Sequence, residues 1–133
     1  MIYHRPVQIE FNHCDPAGIV FFPRYYEMVS SVCENFYKDV TGYSYARMMA
    51  AHQGVPTVRM ETDFHATARL GDVLDFRLEV ERLGRSSITV VVTAWTDHNR
   101  LTVKMTQAFV EGLRAVPWPE EIRSRIQTFM AAP

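Results

Sequence analysis

An aspartate in a tight turn, Asp15, is the residue of this chain best suited to chemistry. It lies in the segment HCDPAG, residues 13–18, directly ahead of the apolar and aromatic run IVFFPRYY. A carboxylate can attack an activated carbonyl carbon or take a proton from water, so Asp15 could be a nucleophile or a general base. An Asp before Pro-x-Gly is also a common turn former. On residue types alone the turn role is the more frequent one.

Other chemistry in the chain is less well supported. Cys14 beside His13 could form a thiol nucleophile with its base, but adjacent residues of an extended segment point to opposite sides. We therefore expect Cys14 to pack against its neighbours. The chain has two cysteines and five histidines, and none of them occurs at the spacing of a metal site. The sequence predicts no metal and no bound cofactor.

Charge and hydropathy exclude several classes of partner. Lys plus Arg is 14 and Asp plus Glu is 15, with a formal net charge of -1 and no long run of either sign. A nucleic-acid partner is therefore not expected. There is no export signal and no apolar run of membrane-spanning length, so the sequence predicts a cytoplasmic protein with no membrane partner. A length of 133 residues predicts one domain, residues 1–133.

The N-terminal third has the pattern of a strand followed by a long helix. Val7, Ile9 and Phe11 alternate with polar residues, which predicts a strand ending near Asn12. Apolar residues then recur at helical intervals, which predicts one amphipathic helix over residues 24–40, about 25 Å long. Pro23 suits its first position and Gly42 its end. A shorter helix is predicted over residues 45–53.

After Pro56 the apolar residues alternate with a period of two almost to the end. The pattern predicts a strand through Val58 and Phe64, then strands over residues 74–81, 87–96 and 101–113, joined by short turns as an antiparallel meander. Ile122, Ile126 and Phe129 predict a terminal helix. The fold class is therefore α+β, with a long antiparallel sheet wrapped around one central helix.

Val91 and Trp95 lie out of register with the core-facing positions, so we expect this second face to meet another subunit.

The segment CDPAGIVFFPRYYEM, together with the strand before it and the helix and sheet after it, resembles hotdog-fold acyl-CoA thioesterases of the 4-hydroxybenzoyl-CoA thioesterase type. The resemblance covers nearly the whole chain and is most specific over residues 9–28. It implies a hotdog fold, in which a long antiparallel sheet wraps one central helix. It also implies hydrolysis of a thioester.

The resemblance implies roles for three residues of the turn. Asp15 would act as nucleophile or general base. The backbone N–H of Phe22, at the start of the central helix, would polarise the thioester carbonyl. Gly18 would let the backbone approach the substrate closely. The first turn of a helix does offer free N–H groups and a positive dipole end, and Pro23 has no N–H to give.

The resemblance also implies substrate contacts, with departures from the family pattern. His13 replaces the first acidic residue of the motif, and Val55 replaces a hydroxyl residue that enters the second strand of the family. Coenzyme A would lie along the turn that contains Arg82, Arg85 and Ser86. Tyr25, Tyr45 and Met49 are candidates for the acyl pocket.

The function that the resemblance implies is hydrolysis of an aromatic or short- to medium-chain acyl-CoA. The working unit would be a homodimer or a homotetramer built as a dimer of dimers, with the site between subunits. Two alternatives stay open: hydrolysis of acyl groups carried by a protein, and non-catalytic binding of acyl-CoA on the same fold.

Overall fold

The computed structural model describes residues 1–133 and contains a curved antiparallel sheet that covers one long helix. The helices are α1 (Pro23–Phe36), α2 (Tyr45–Ala50) and α3 (Glu120–Ala131). The strands are β1 (Tyr3–Gln8), β2 (Gln53–Gly54), β3 (Thr57–Phe64), β4 (Val73–Leu83), β5 (Ser87–Trp95), β6 (Asn99–Ala108), β7 (Val110–Glu111) and β8 (Arg114–Ala115).

The helix α1 begins and ends where the sequence predicts. Pro23 is its first residue, and its missing N–H costs nothing there because that donor would be unpaired. The helix continues as a π-helical turn, Tyr37–Thr41, and stops at Gly42, whose φ of 68° is in the left-handed region. One face of α1 is buried against the sheet: Tyr25, Met28, Val29, Val32, Cys33 and Phe36.

Three strands, β4, β5 and β6, form the predicted meander and supply most of the core. Their alternate residues point toward α1 and are buried, whereas the residues between them are half-buried or exposed. In the register of the sheet, Phe76 lies opposite Ala94, and Val92 lies opposite both Leu78 and Val103. Burial of this continuous apolar face against α1 is the main stabilising contribution to the fold.

The strand β3 is not part of the meander, and this prediction was wrong. The sheet order is β1-β4-β5-β6-β3, so β3 pairs with β6 at the far edge. The connection to β4 is too long for a hairpin: it passes the segment before α1, where Ile19 and Arg69 form a bridge. The apolar residues of β3 are largely exposed in the single chain: Val58 is 63% and Phe64 51% exposed. The outer edge of β3 has no neighbouring strand.

Several element boundaries also differ from the sequence prediction. The strand β1 ends at Gln8, and Phe11 is 82% exposed in a 3-10 turn, Phe11–His13. The helix α2 ends at Ala50, because His52 takes a φ of 56° and the chain then forms β2. The last long strand ends at Ala108, after which β7 pairs with both β2 and β8.

The terminal helix α3 closes one end of the core as predicted. Ile122, Ile126 and Phe129 are buried, and the Phe129 ring lies 5.2 Å from the Phe36 ring at the end of α1. On the outer face of the sheet Val91 and Trp95 are half-buried, and the Arg77 guanidinium lies 4.6 Å from the Trp95 ring centre. None of the helices is both long enough and apolar enough to cross a bilayer.

Candidate active site

The Asp15 turn is held by backbone hydrogen bonds on both sides of the aspartate. The Asp15 N–H donates to Ile19 O at 3.0 Å, and the Gly18 N–H donates to Asp15 O at 3.0 Å. The Ala17 N–H donates to Asp15 Oδ1 at 2.9 Å. Gly18 takes a φ of 76°, which favours glycine at this position. The half-buried carboxylate is therefore fixed through one oxygen, and Oδ2 is left without a partner in the chain.

A free backbone donor lies at the other end of this segment. The Phe21 N–H donates to His13 O at 2.9 Å, and the Arg24 N–H donates to Phe21 O at 2.9 Å. Between them the Phe22 N–H has no acceptor and Pro23 has no N–H. An unpaired N–H at the positive end of a helix can stabilise an oxyanion. The structure thus places a carboxylate with one free oxygen and a free backbone donor on the segment that leads into α1.

The two residues before Asp15 serve the local structure. His13 Nδ1 accepts a hydrogen bond from the Glu10 N–H at 2.9 Å. Cys14 Sγ donates to Glu10 O at 3.5 Å, and the side chain packs against the core. The imidazole nitrogen nearest the backbone is therefore occupied, and no thiol–imidazole pair forms. This arrangement agrees with the expected packing role of Cys14.

The largest concave site of the chain is an apolar pocket of about 500 Å³ between α1, α2 and the start of β3. Tyr45, Met49 and Val55, three of the residues that the sequence analysis assigned to the substrate, line this pocket together. Its lining residues range from buried ones, such as Cys33 and Met105, which are 1% and 3% exposed, to Met49, which is 73% exposed.

Gln107 also lines this pocket and was missed by the sequence analysis. It is 3% exposed, and its Oε1 accepts a hydrogen bond from the Tyr37 hydroxyl at 3.0 Å. The residues at alternate positions on either side of it, Met105 and Phe109, are apolar and buried. A polar residue at a core-facing position of an alternating strand was the signal that could have identified it.

Tyr25 does not line the large pocket. It is 4% exposed, and its hydroxyl accepts a hydrogen bond from the Ala68 N–H at 3.3 Å. Burial raises the pKa of the Tyr25 phenol. Together with Phe22 and Phe64 it lines a second depression of about 320 Å³ beside the start of α1. Tyr25 is thus near the Asp15 turn and separate from Tyr45 and Met49.

The end of β4 and the turn between β4 and β5 present two free cations. Arg82 and Arg85 are exposed and form no ion pair, and Ser86 is half-buried. The turn is fixed by the Trp118 N–H, which donates to Arg85 O at 3.0 Å. Arg123 of α3 also reaches this turn, since its Nη2 donates to Gly84 O at 2.7 Å. The spacing of residues in the sequence could not predict that Arg123, which lies about 40 residues after this turn, would contact it.

Apart from Tyr25, which lies in the depression beside α1, the candidate residues thus fall into three groups within one chain. Asp15, Gly18 and Phe22 share the segment before α1. Tyr45, Met49 and Val55 share the large pocket, and the cations share the β4–β5 turn. Asp15 lines neither the large pocket nor the depression beside α1. A site that combined Asp15 with the large pocket would require these two groups of residues to lie next to each other.

Comparison with known proteins assigns the family. The family model described as the thioesterase superfamily matches residues 37–103, about half of the chain. The matched range begins after the Asp15 turn. A curated relative, the 4-hydroxybenzoyl-CoA thioesterase of Pseudomonas sp. (strain CBS-3), is 32% identical over 83 residues. That alignment covers 60% of this chain and 58% of the relative. The chain belongs to the thioesterase superfamily.

Solved structures confirm the fold. A protein from Staphylococcus aureus, solved in complex with CoA, superposes with a TM-score of 0.91 at 15% identity, covering 98% of this chain and 84% of that one. A 1,4-dihydroxy-2-naphthoyl-CoA thioesterase from Synechocystis superposes with a TM-score of 0.88 at 16% identity and full coverage of both chains. The predicted α+β hotdog fold is therefore correct.

Proposed function

We propose that this protein hydrolyses the thioester of an acyl-CoA to the free acid and coenzyme A. The observation that carries the proposal is the unpaired Phe22 N–H at the start of α1, on the same segment before that helix as the free Oδ2 of Asp15. Hydrolysis of a thioester needs a group that attacks the carbonyl carbon or activates water, and a donor for the oxyanion that forms. Family membership supports the same reaction.

Two routes are consistent with this arrangement. As a nucleophile, Asp15 adds to the carbonyl carbon, the C–S bond breaks, and the CoA thiolate leaves and takes up a proton. Water then cleaves the resulting acyl–aspartyl anhydride and regenerates the carboxylate. As a general base, Asp15 takes a proton from water, which attacks the carbon directly, and the proton passes to the leaving thiolate. In both routes the Phe22 N–H donates to the carbonyl oxygen as it becomes negative.

A homodimer would join the Asp15 turn to the large pocket. The outer edge of β3 has unpaired backbone groups, and antiparallel pairing with the same strand of a second copy would satisfy them. Such pairing about the middle of β3 sets Thr57 of one copy near Phe64 of the other. Thr57 lines the large pocket, and Phe64 lies in the depression beside Phe22. We therefore place the site between subunits, with a dimer as its smallest working unit.

The pocket suggests the size of the acyl group, and the free arginines suggest where coenzyme A would bind. A cavity of about 500 Å³ is large enough for an aromatic or a short- to medium-chain acyl group. Tyr45, Met49 and Val55 would contact this group, and Tyr25 would lie nearer the thioester. Arg82, Arg85 and Ser86 would hold the phosphates and pantetheine of coenzyme A, since free guanidinium groups bind phosphate well. The chain would fold as one hotdog domain over residues 1–133.

The first test is release of free thiol from a panel of aromatic and aliphatic acyl-CoAs. Asp15→Asn keeps the shape of the side chain, so we expect normal folding with turnover lowered by about a hundredfold or more. Asp39→Asn is the matched control, because Asp39 accepts a hydrogen bond from Tyr3 on the surface and lies outside the turn. Equal turnover of wild type and Asp15→Asn would contradict the mechanism.

The same panel separates the alternatives. Thiol release only when the acyl group is carried by a protein would support a carrier-protein substrate. Saturable acyl-CoA binding without release of thiol would support a non-catalytic role, for which Val55 in place of the family hydroxyl is the favouring observation. Oxygen-18 incorporation into the enzyme during a single turnover separates direct attack by Asp15 from general-base catalysis.

A further inference from the structure

His13 connects the short turn that precedes Asp15 to the segment that enters α1. Its N–H donates to Glu10 O at 3.0 Å, and its O accepts from the Phe21 N–H at 2.9 Å. The side chain makes a third bond, in which Nδ1 accepts from the Glu10 N–H at 2.9 Å. His13 therefore lies two positions before Asp15 and also holds the residue next to Phe22, whose N–H is free.

The bond from the Glu10 N–H fixes the protonation state of the imidazole. Nδ1 can accept only through its lone pair, so the proton of the neutral ring is on Nε2. A ring turned over would place a carbon at this position and leave the Glu10 N–H without an acceptor, because no other acceptor in the chain bonds to it. The 3-10 turn Phe11–His13 is thus held by a neutral histidine.

A second proton on His13 would reverse this interaction. In an imidazolium both ring nitrogens are donors, so the Nδ1–H and the Glu10 N–H would face each other. The ring lines a polar depression of about 320 Å³ together with Arg5 of β1, Glu27 of α1 and Glu10 itself. Glu27 is already paired with Arg24 at 2.6 Å. The two carboxylates would attract the charged ring and Arg5 would repel it, but none of these groups removes the conflict between the two donors.

We propose that His13 is a positioning residue for hydrolysis of the thioester: the neutral imidazole holds the segment that carries Asp15 and the free Phe22 N–H, and protonation of the ring releases this segment and lowers turnover. The inference rests on the proposed function, in which these two groups act on the thioester. His13 itself neither takes nor gives a proton in the reaction. Histidine is the side chain whose charge ordinarily changes between about pH 5 and 8, so we expect the loss of turnover at the acid end of this range.

The test compares the pH dependence of kcat/KM for thiol release in the wild type, His13→Asn and His13→Leu. Asn carries Oδ1 on Cγ, where histidine carries Nδ1, so it can accept the Glu10 N–H and does not titrate. We expect His13→Asn to match the wild type within about twofold at pH 8 and to exceed it by about threefold or more at about pH 5.5. His13→Leu has no acceptor, so its kcat/KM should be lowered severalfold already at pH 8.

The comparison needs controls for the other effects of acid. Protonation of Asp15 lowers turnover in every variant, so it cancels when His13→Asn is divided by the wild type. His4→Asn is the matched control, because the His4 imidazole pairs with Asp75 at 2.9 Å on the face of the sheet turned away from α1. It should keep the pH profile of the wild type. Circular dichroism at each pH checks that the variants are folded.

The bond itself can be measured without turnover. Nitrogen-15 chemical shifts show which imidazole nitrogen carries the proton, and the His13 signals are those that disappear in His13→Asn. We expect a protonated Nε2 and an unprotonated Nδ1 at pH 8. The Glu10 amide should exchange its hydrogen faster in His13→Leu than in His13→Asn, because only the second variant offers an acceptor.

The outcomes separate this inference from the proposed function. A proton on Nδ1 at pH 8 would overturn the inference and leave hydrolysis by Asp15 standing. The same loss of turnover toward acid in the wild type and in His13→Asn would do so as well. Absence of thiol release from every acyl-CoA would contradict the proposed function and, with it, the positioning role of His13 in that reaction. Thiol release with the expected tautomer and a weaker acid loss in His13→Asn would support both.

Discussion

At the scale of single residues, the two roles that the sequence context suggests for Asp15 can be held by the same carboxylate. Its Oδ1 accepts the Ala17 N–H and so stabilises the turn, as an aspartate before Pro-x-Gly usually does. Because a carboxylate has two oxygens, Oδ2 remains available for chemistry. The turn bond also limits the orientations of the carboxylate, which would favour the catalytic role proposed for it. A turn former and a catalytic group are therefore compatible in one residue.

The two cysteines should differ sharply in reactivity. Cys33 is 1% exposed in α1, and burial raises the pKa of its thiol to about 12. The reactive thiolate is therefore nearly absent at pH 8, and almost none of the side chain is exposed. We expect a thiol reagent at pH 8 to modify Cys14 in the native protein and Cys33 only after unfolding. Peptide mass mapping after brief labelling measures this, with Cys14→Ser as the control; rapid native labelling of Cys33 would contradict the structure.

At the scale of elements, periodicity and end signals predicted the parts that depend on local rules. Pro23 and Gly42 marked the helix ends correctly because both act through their own backbone geometry. Alternation predicted the inward face of β4, β5 and β6. It failed for β3 because alternation marks apolar positions without showing what covers them, and in the proposed dimer a second chain would cover this strand. The Asp15 turn was predicted from a motif. That Tyr45 of α2 and Gln107 of β6 line the same pocket depends on packing between distant parts of the chain, which no local rule predicts.

The exposed strand β3 gives a prediction about assembly. Val58 is 63% exposed in the single chain, so Val58→Lys should cost little folding stability. In a dimer paired through β3 the new charges would be brought to the interface, and we expect dissociation at protein concentrations at which the wild type is dimeric. Light scattering across a concentration series measures the assembly. Val73→Lys is the matched control, since Val73 is 55% exposed at the start of β4. If both variants assembled like wild type, pairing through β3 would be excluded.

At the scale of the whole molecule, one chain holds all the candidate groups but does not bring them together. The Asp15 turn lies at the start of α1, and the large pocket lies between α1, α2 and the start of β3. Antiparallel pairing of two copies relates opposite ends of β3, which is how a two-fold axis can join the turn of one copy to the pocket of the other. Each dimer would then contain two equivalent sites, and each site would use both chains.

This arrangement predicts complementation between two inactive variants. Asp15→Asn removes the carboxylate, and Met49→Trp would block the mouth of the pocket with a larger side chain at an exposed position. In a mixed dimer one site has both defects, and the other has an intact Asp15 from the Met49→Trp chain and an intact pocket from the Asp15→Asn chain. Random exchange of subunits should therefore restore about a quarter of the wild-type activity.

Thiol release is measured after mixing the variants in mild denaturant and refolding, with each variant refolded alone as the control. Because a site built within one chain would gain nothing from mixing, the absence of any recovery would place Asp15 and its acyl pocket in the same subunit.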